Sequence, residues 1–174
     1  MMNMTTNLMP NRPAGKSAAG KRSLQSGVGL IEVLVAVLVL SIAFLGIAAL
    51  QAMSLSTNNS AMARSMATIS SYSILDAMRA DMAAAQGGSY NRTGTSAVKA
   101  NACPAGTGSL ANYQISQWCG QLGKALGTAD TTKGDISCTA VDKSANCTVT
   151  ISFDDSRAGV GGSNVQQVIT RAML

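Results

Sequence analysis

Residues 28–50 read VGLIEVLVAVLVLSIAFLGIAAL, twenty-three residues with a single charge, Glu32. As a helix rising about 1.5 Å per residue, this run covers roughly 34 Å, enough to cross the ~30 Å hydrocarbon core of a bilayer. It is longer than the ~7–15 residues of a cleaved secretory signal, and no small-x-small site with a break closes it. The run therefore predicts a retained membrane helix. The 27 residues before it contain Arg12, Lys16, Lys21 and Arg22, no acid, and no apolar periodicity, so no fold is expected there. By the positive-inside rule this basic end stays in the cytoplasm, and everything after Leu50 is exported.

Composition narrows the chemistry further. The 174 residues include no histidine, which removes Ser-His-Asp and Cys-His catalysis in their usual forms and every imidazole metal site. Aromatic residues are 3% of the chain, too few for base-stacking recognition of single strands. The formal charge of +5 would suggest an anionic partner. Yet four of the thirteen basic residues lie in the leader and none of the eight acids does, which leaves nine against eight in the remainder. The high pI is thus mostly an address. No specific nucleic acid partner, cofactor, metal or catalytic residue is predicted, and the chain is not expected to be an enzyme.

The junction between leader and helix is more specific. A polar basic leader ends in Gly27, followed by Val28-Gly29-Leu30-Ile31-Glu32 and then the apolar run. This resembles the class III signal of type IV pilins and pseudopilins. The resemblance implies that a prepilin peptidase cuts after Gly27 and that Val28 becomes the N-methylated terminus, where the family usually has Phe. A carboxylate deep in a membrane helix costs ~2.5–3.5 kcal/mol near the bilayer centre and less near the interface. Glu32 could simply sit at headgroup level. The family implies instead that it meets the new terminal amine of a neighbouring subunit during filament assembly, a desolvated ion pair that favours extraction into the fibre.

From Gln51 to Gln86 there is neither proline nor glycine. Leu55, Met62, Met66, Ile69, Tyr72, Leu75, Met78 and Met82 recur at steps of three, four and seven, and predict one helical face covered by a domain core. Gly87-Gly88 should end the helix. Residues 30–86 would then form one rod, about 85 Å if straight. The stretch SIAFLGIAALQ, with AMARSMATISSYSILDAMRADM after it, looks like the PilV group of type IV minor pilins. The run Asp76-Ala77-Met78-Arg79-Ala80 carries much of that likeness, which covers residues 23–86.

The remainder reads as an exported head. Residues 87–108 form a loop by composition, long enough that its cysteine should tie it down. A short helix follows, with Tyr113, Ile115, Trp118, Leu122 and Leu126 as its buried side. Strands are expected over 136–141, 147–153 and 165–173, the first two joined by a turn at 142–146 and the third following the Gly159/Gly161/Gly162 loop. The sheet would cover the stripe at 62–82. Cys103, Cys119, Cys138 and Cys147 contain no CxxC, and an even number in an oxidising compartment favours two disulfides. Of three connectivities, Cys138–Cys147 across the hairpin and Cys103–Cys119 between loop and helix are preferred. Asp154-Asp155 reads as a strand-end turn rather than half a calcium site. Three Asn-x-Ser/Thr triplets at 58, 91 and 146 are matches of the kind chance supplies.

The expected fold is α+β and pilin-like, a long N-terminal helix packed on a small antiparallel head. Its segments are a leader (1–27), a membrane or filament-core half-helix (28–50), an amphipathic half-helix (51–86) and a disulfide-bonded periplasmic head (87–174). The resemblance implies a minor pilin of the type IV pilus acting in initiation or tip assembly, and so in twitching motility, adhesion or DNA uptake. It implies as partners the prepilin peptidase, other minor pilins, the major pilin and the pilus assembly platform. Its location would be the bacterial inner membrane and then the fibre. A minor pseudopilin of a type II secretion system is the alternative with the same signal.

Overall fold

Strong helix formers and the absence of proline carry α1 from Leu30 to Ala80 in the computed structural model. Residue 27 and residues 29–158 and 162–174 are described. Residues 1–26, Val28 and residues 159–161 lie outside the described residues, and the Gly159/Gly161/Gly162 loop falls mostly there. The Gly29 carbonyl accepts the first helical bonds, from the Glu32 and Val33 amides at 2.9 and 3.3 Å. Within the helix, hydroxyls fold back onto their own backbone, as in Ser41 to the Val37 carbonyl (2.7 Å) and Thr57 to the Met53 carbonyl (3.0 Å). The chain divides into two units, one ending at Ser41 and one spanning Ile42–Leu174. α1 contributes residues to both.

The helix expected to run to Gln86 breaks at Asp81, whose φ of −127° and ψ of 57° leave the helical region. A short α2, Met82–Gln86, follows. With this break Ala85 becomes fully buried and the Gln86 side chain reaches the Ser144 carbonyl at 3.3 Å. Gly88, at φ 73°, supplies the left-handed turn that ends the segment.

Most of the apolar stripe expected to face the sheet does not. Leu55, Met62, Ile69 and Tyr72 are exposed, Met62 and Ile69 each by 62%, and Met66 is only part-covered. Only the C-terminal end of the stripe, Leu75 and Met78, is fully buried, with Met82 half-buried against it. The buried face is Ser60, Ala67, Ser70, Ser71, Ile74, Leu75 and Met78, with Ala63 and Ala77 packed beside it. At ~100° per residue this face lies on the far side of the helix from Met62 and Ile69. The reason is steric: small side chains let other elements approach the helix backbone closely. Trp118 shows this directly, donating its indole N–H to the Ser70 carbonyl at 2.9 Å.

The sheet is antiparallel throughout, in the order β1-β2-β3-β4. β2 (Lys133–Val141) and β3 (Ser144–Phe153) pair over nine residues, Lys133 opposite Ser152 to Val141 opposite Ser144. The hairpin turn is only Asp142-Lys143, tighter than the five residues expected, and Asp142 takes the positive φ (51°) that such a turn needs. β4 (Gln166–Met173) pairs with β3 in continuous register. The expected loop 87–108 contains a 3₁₀ turn (Gly94–Ser96) and β1, Val98–Lys99, which pairs with Gly134 and Lys133.

α3 spans Leu110–Leu126, capped by Ser109, whose hydroxyl accepts the Asn112 amide at 3.1 Å. It buries Ala111, Ile115, Trp118, Cys119 and Leu122, while Tyr113, expected inside, is exposed and Leu126 is half-buried. The inward side chains of the two central strands are Ile136 and Cys138 on β2 and Ala145, Cys147, Val149, Ile151 and Phe153 on β3. They meet the helices on one face of the sheet, an α+β layout of two layers.

Candidate functional site

Of the residues that the sequence singles out for processing and assembly, Glu32 lies in the first turn of α1 and Gly27 precedes the helix. Gly27 is exposed, and Val28 lies outside the described residues. Glu32 stands in the first turn with its side chain exposed, where a negative charge complements the unsatisfied N–H groups of a helix start. Around and beyond it Leu30, Ile31, Val33, Leu34, Val37 and Leu38 are all exposed. Among the described residues α1 is the one helix long and apolar enough to cross a membrane. A soluble chain would not leave so much aliphatic surface in water, since burial is worth about 25 cal/mol per Å². The segment is built for a bilayer or for other apolar helices.

The exposed apolar surface continues on α1 past Leu50 and Met53 as a stripe through Leu55, Met62 and Ile69. Glu32 and this stripe share one element, but they belong to the two different units of the chain.

In the head, Cys103 is joined to Cys119 and Cys138 to Cys147, with Cα–Cα distances of 5.6 and 4.1 Å. The first disulfide fixes the loop to α3. The second links directly opposed residues of β2 and β3. The loop is held by more than its cysteine. Asn91 accepts the Cys138 amide on its side-chain oxygen (2.7 Å) and donates its side-chain N–H to the Cys138 carbonyl (3.2 Å). Arg92 exchanges two backbone bonds of 2.8 Å with Ile136. Nothing in the sequence pattern marks Asn91, because it acts as a strand substitute only once β2 is placed beside it.

Among the described residues, Asp155 and Tyr90 are buried polar groups of the head with side-chain partners. Asp155 accepts from the Ser60 hydroxyl (2.5 Å) and faces the half-exposed Arg64 guanidinium at 3.5 Å. Asp154 accepts the Ser156 amide at 2.8 Å, a strand-end turn of the kind expected. No group of three or more metal-binding side chains occurs among the described residues. Tyr90 is fully buried, with its phenol oxygen between the Asp81 carboxylate (3.2 Å) and the Gln114 amide. Burial, and then the Asp81 charge, push the Tyr90 phenol up to about 12. It is a neutral structural hydroxyl. Asp76 and Arg79 pair at 2.6 Å in the open, which contributes only a few tenths of a kcal/mol.

Residues 22–48 match the family described as the prokaryotic N-terminal methylation motif. This span contains Gly27 and Glu32 and the first two-fifths of α1, and it supports a type IV pilin or pseudopilin. Comparison of the chain with curated proteins and with solved structures finds no match.

Proposed function

We propose that this chain is a minor pilin of the PilV group, made as an inner-membrane precursor and used to initiate or tip the type IV pilus. Its work is assembly, not catalysis. In this reading prepilin peptidase removes residues 1–27, Val28 becomes the N-methylated terminus, and residues 28–50 sit first in lipid and later in the fibre core. The amphipathic half-helix (51–86) leads to a periplasmic head (87–174) that meets other minor pilins and the major pilin above the assembly platform. The observation that carries the reading is the methylation motif over residues 22–48, placed at the start of a long apolar helix that leads into an α+β head.

Glu32 is the residue on which assembly turns. A carboxylate in an apolar helix is tolerated in the fibre when the amine at a neighbour's Val28 faces it, and that pair forms only when the incoming subunit has the right depth. Glu32→Ala and Glu32→Val should therefore yield mature-sized protein in the membrane, with its content in sheared pili reduced about tenfold or more, on the order of the cost of losing one partner of a desolvated pair. Immunoblots of membranes and sheared fibres measure both. Normal incorporation of either variant sinks the pairing.

A further inference from the structure

The two edges of the sheet are treated differently. The β2 edge is closed from Lys133 to Cys138 by β1 opposite 133 and 134, by the Arg92 backbone at Ile136, and by the Asn91 side chain at Cys138. β4 pairs with β3 on one side, and no described strand pairs with its other side. It runs for eight residues in unbroken register, without proline or bulge to blunt the edge and with one charged side chain, Arg171.

The ladder shows which groups face outward. Cys138 and Cys147 are opposed at a Cα–Cα distance of 4.1 Å, the close spacing of a non-hydrogen-bonded antiparallel pair. Backbone groups of Cys147, and by alternation those of Ala145, Val149, Ile151 and Phe153, thus point toward β4. The Leu174 amide donating to the Ala145 carbonyl at 2.9 Å agrees with this. On β4, then, Gln166, Val168, Thr170 and Ala172 bond to β3, while Gln167, Ile169, Arg171 and Met173 turn their N–H and C=O groups to the open side. The side chains of these four are also exposed on the outer face, Ile169 by 55% and Met173 by 64%. Arg171 lies between them and has no carboxylate partner among the described residues.

We infer that the open β4 edge is a docking site for an extended strand of another polypeptide, with apolar side chains beside Ile169 and Met173 and a carboxylate beside Arg171. Such a strand would add a fifth member to the sheet, main-chain bonds giving affinity and alternate side chains giving choice. A second copy of β4 fits less well. The side chains of residues 165–174 and of all of β3 include no acid, so a second β4 offers Arg171 no carboxylate side chain.

The test uses the full chain in detergent micelles and a fluorescent synthetic peptide that alternates threonine with a Val, Glu, Val face. Binding is read by anisotropy and by amide hydrogen exchange. The expected result is slower exchange at Gln167, Ile169, Arg171 and Met173 when peptide is bound, and none with the same peptide carrying a central proline. Ile169→Pro removes an outward N–H and leaves the β3 ladder intact, so it should weaken binding about tenfold or more with the unfolding temperature little changed. Arg171→Glu should lose the acidic peptide and gain one with Lys in place of Glu, which keeps the test decisive if the proline variant does not fold. Absence of slowed exchange, or equal binding by Ile169→Pro, overturns the site. A doubled mass without peptide in sedimentation overturns it in favour of self-pairing.

Discussion

At the scale of single residues, Gly134 and Trp118 depend on one another. The indole of Trp118 lies so close to Gly134 that a Cβ there would overlap its ring, and Leu122 stands beside it. Trp118 is anchored from the other side by its bond to the Ser70 carbonyl, so it cannot retreat. Gly134→Ala should destabilise the head by about 1–3 kcal/mol through overpacking. Adding Trp118→Leu should make the second change cost less than it does alone, because the cavity absorbs the new methyl. A double-mutant cycle by urea unfolding measures this coupling, and strict additivity would show that the two residues are independent. The composition suggests Trp118 as a core anchor. It cannot show that a glycine on another element makes room for it.

At the scale of elements, the two disulfides constrain different things. Cys138–Cys147 joins strands already held in register over nine residue pairs, so it adds little order to the hairpin. Cys103–Cys119, sixteen residues apart, ties an irregular segment to α3. By loop entropy each is worth roughly 2–3 kcal/mol, but their local effects should differ. Replacing Cys103 and Cys119 by Ser should speed tryptic cleavage after Lys99, whereas the Cys138/Cys147 double serine variant should leave that cleavage near the wild-type rate. Equal rates in both variants would mean that Asn91 and Arg92 hold the loop without the disulfide. Helix existence, the three long strands and the hairpin are legible from periodicity and turn residues. The face of α1 that packs is not. The pattern of Met and Ile points to one side and the packing uses the side lined with Ser and Ala, because closeness of approach, not only apolarity, decides which face is buried.

At the scale of the whole molecule, a long apolar surface on α1 coexists with a core that the C-terminal part of α1 shares with the head. That combination makes sense for a subunit that moves between bilayer and fibre. Deleting the gene should abolish or reduce surface pili and twitching and leave exoprotein secretion unchanged, both restored by the wild-type chain in trans. Loss of secretion with normal pili would instead place the protein among the pseudopilins of a type II system. Shearing assays and secreted-protein profiles from the same strains decide between them.

What sequence alone determined is the part whose physics is local. A basic N-terminal stretch, Gly27, Glu32 and an unbroken apolar run mark a segment suited to a membrane, because transfer into hydrocarbon depends on the residues themselves and needs no partner within the fold. The α+β order follows in the same way from periodicities of 3.6 and 2. Tertiary structure alone decided the break at Asp81, the small-residue face of α1, the capture of β2 by Asn91, and which sheet edge stays open. Each depends on residues tens of positions apart arriving at one place, and close packing selects among arrangements that local pattern leaves equal.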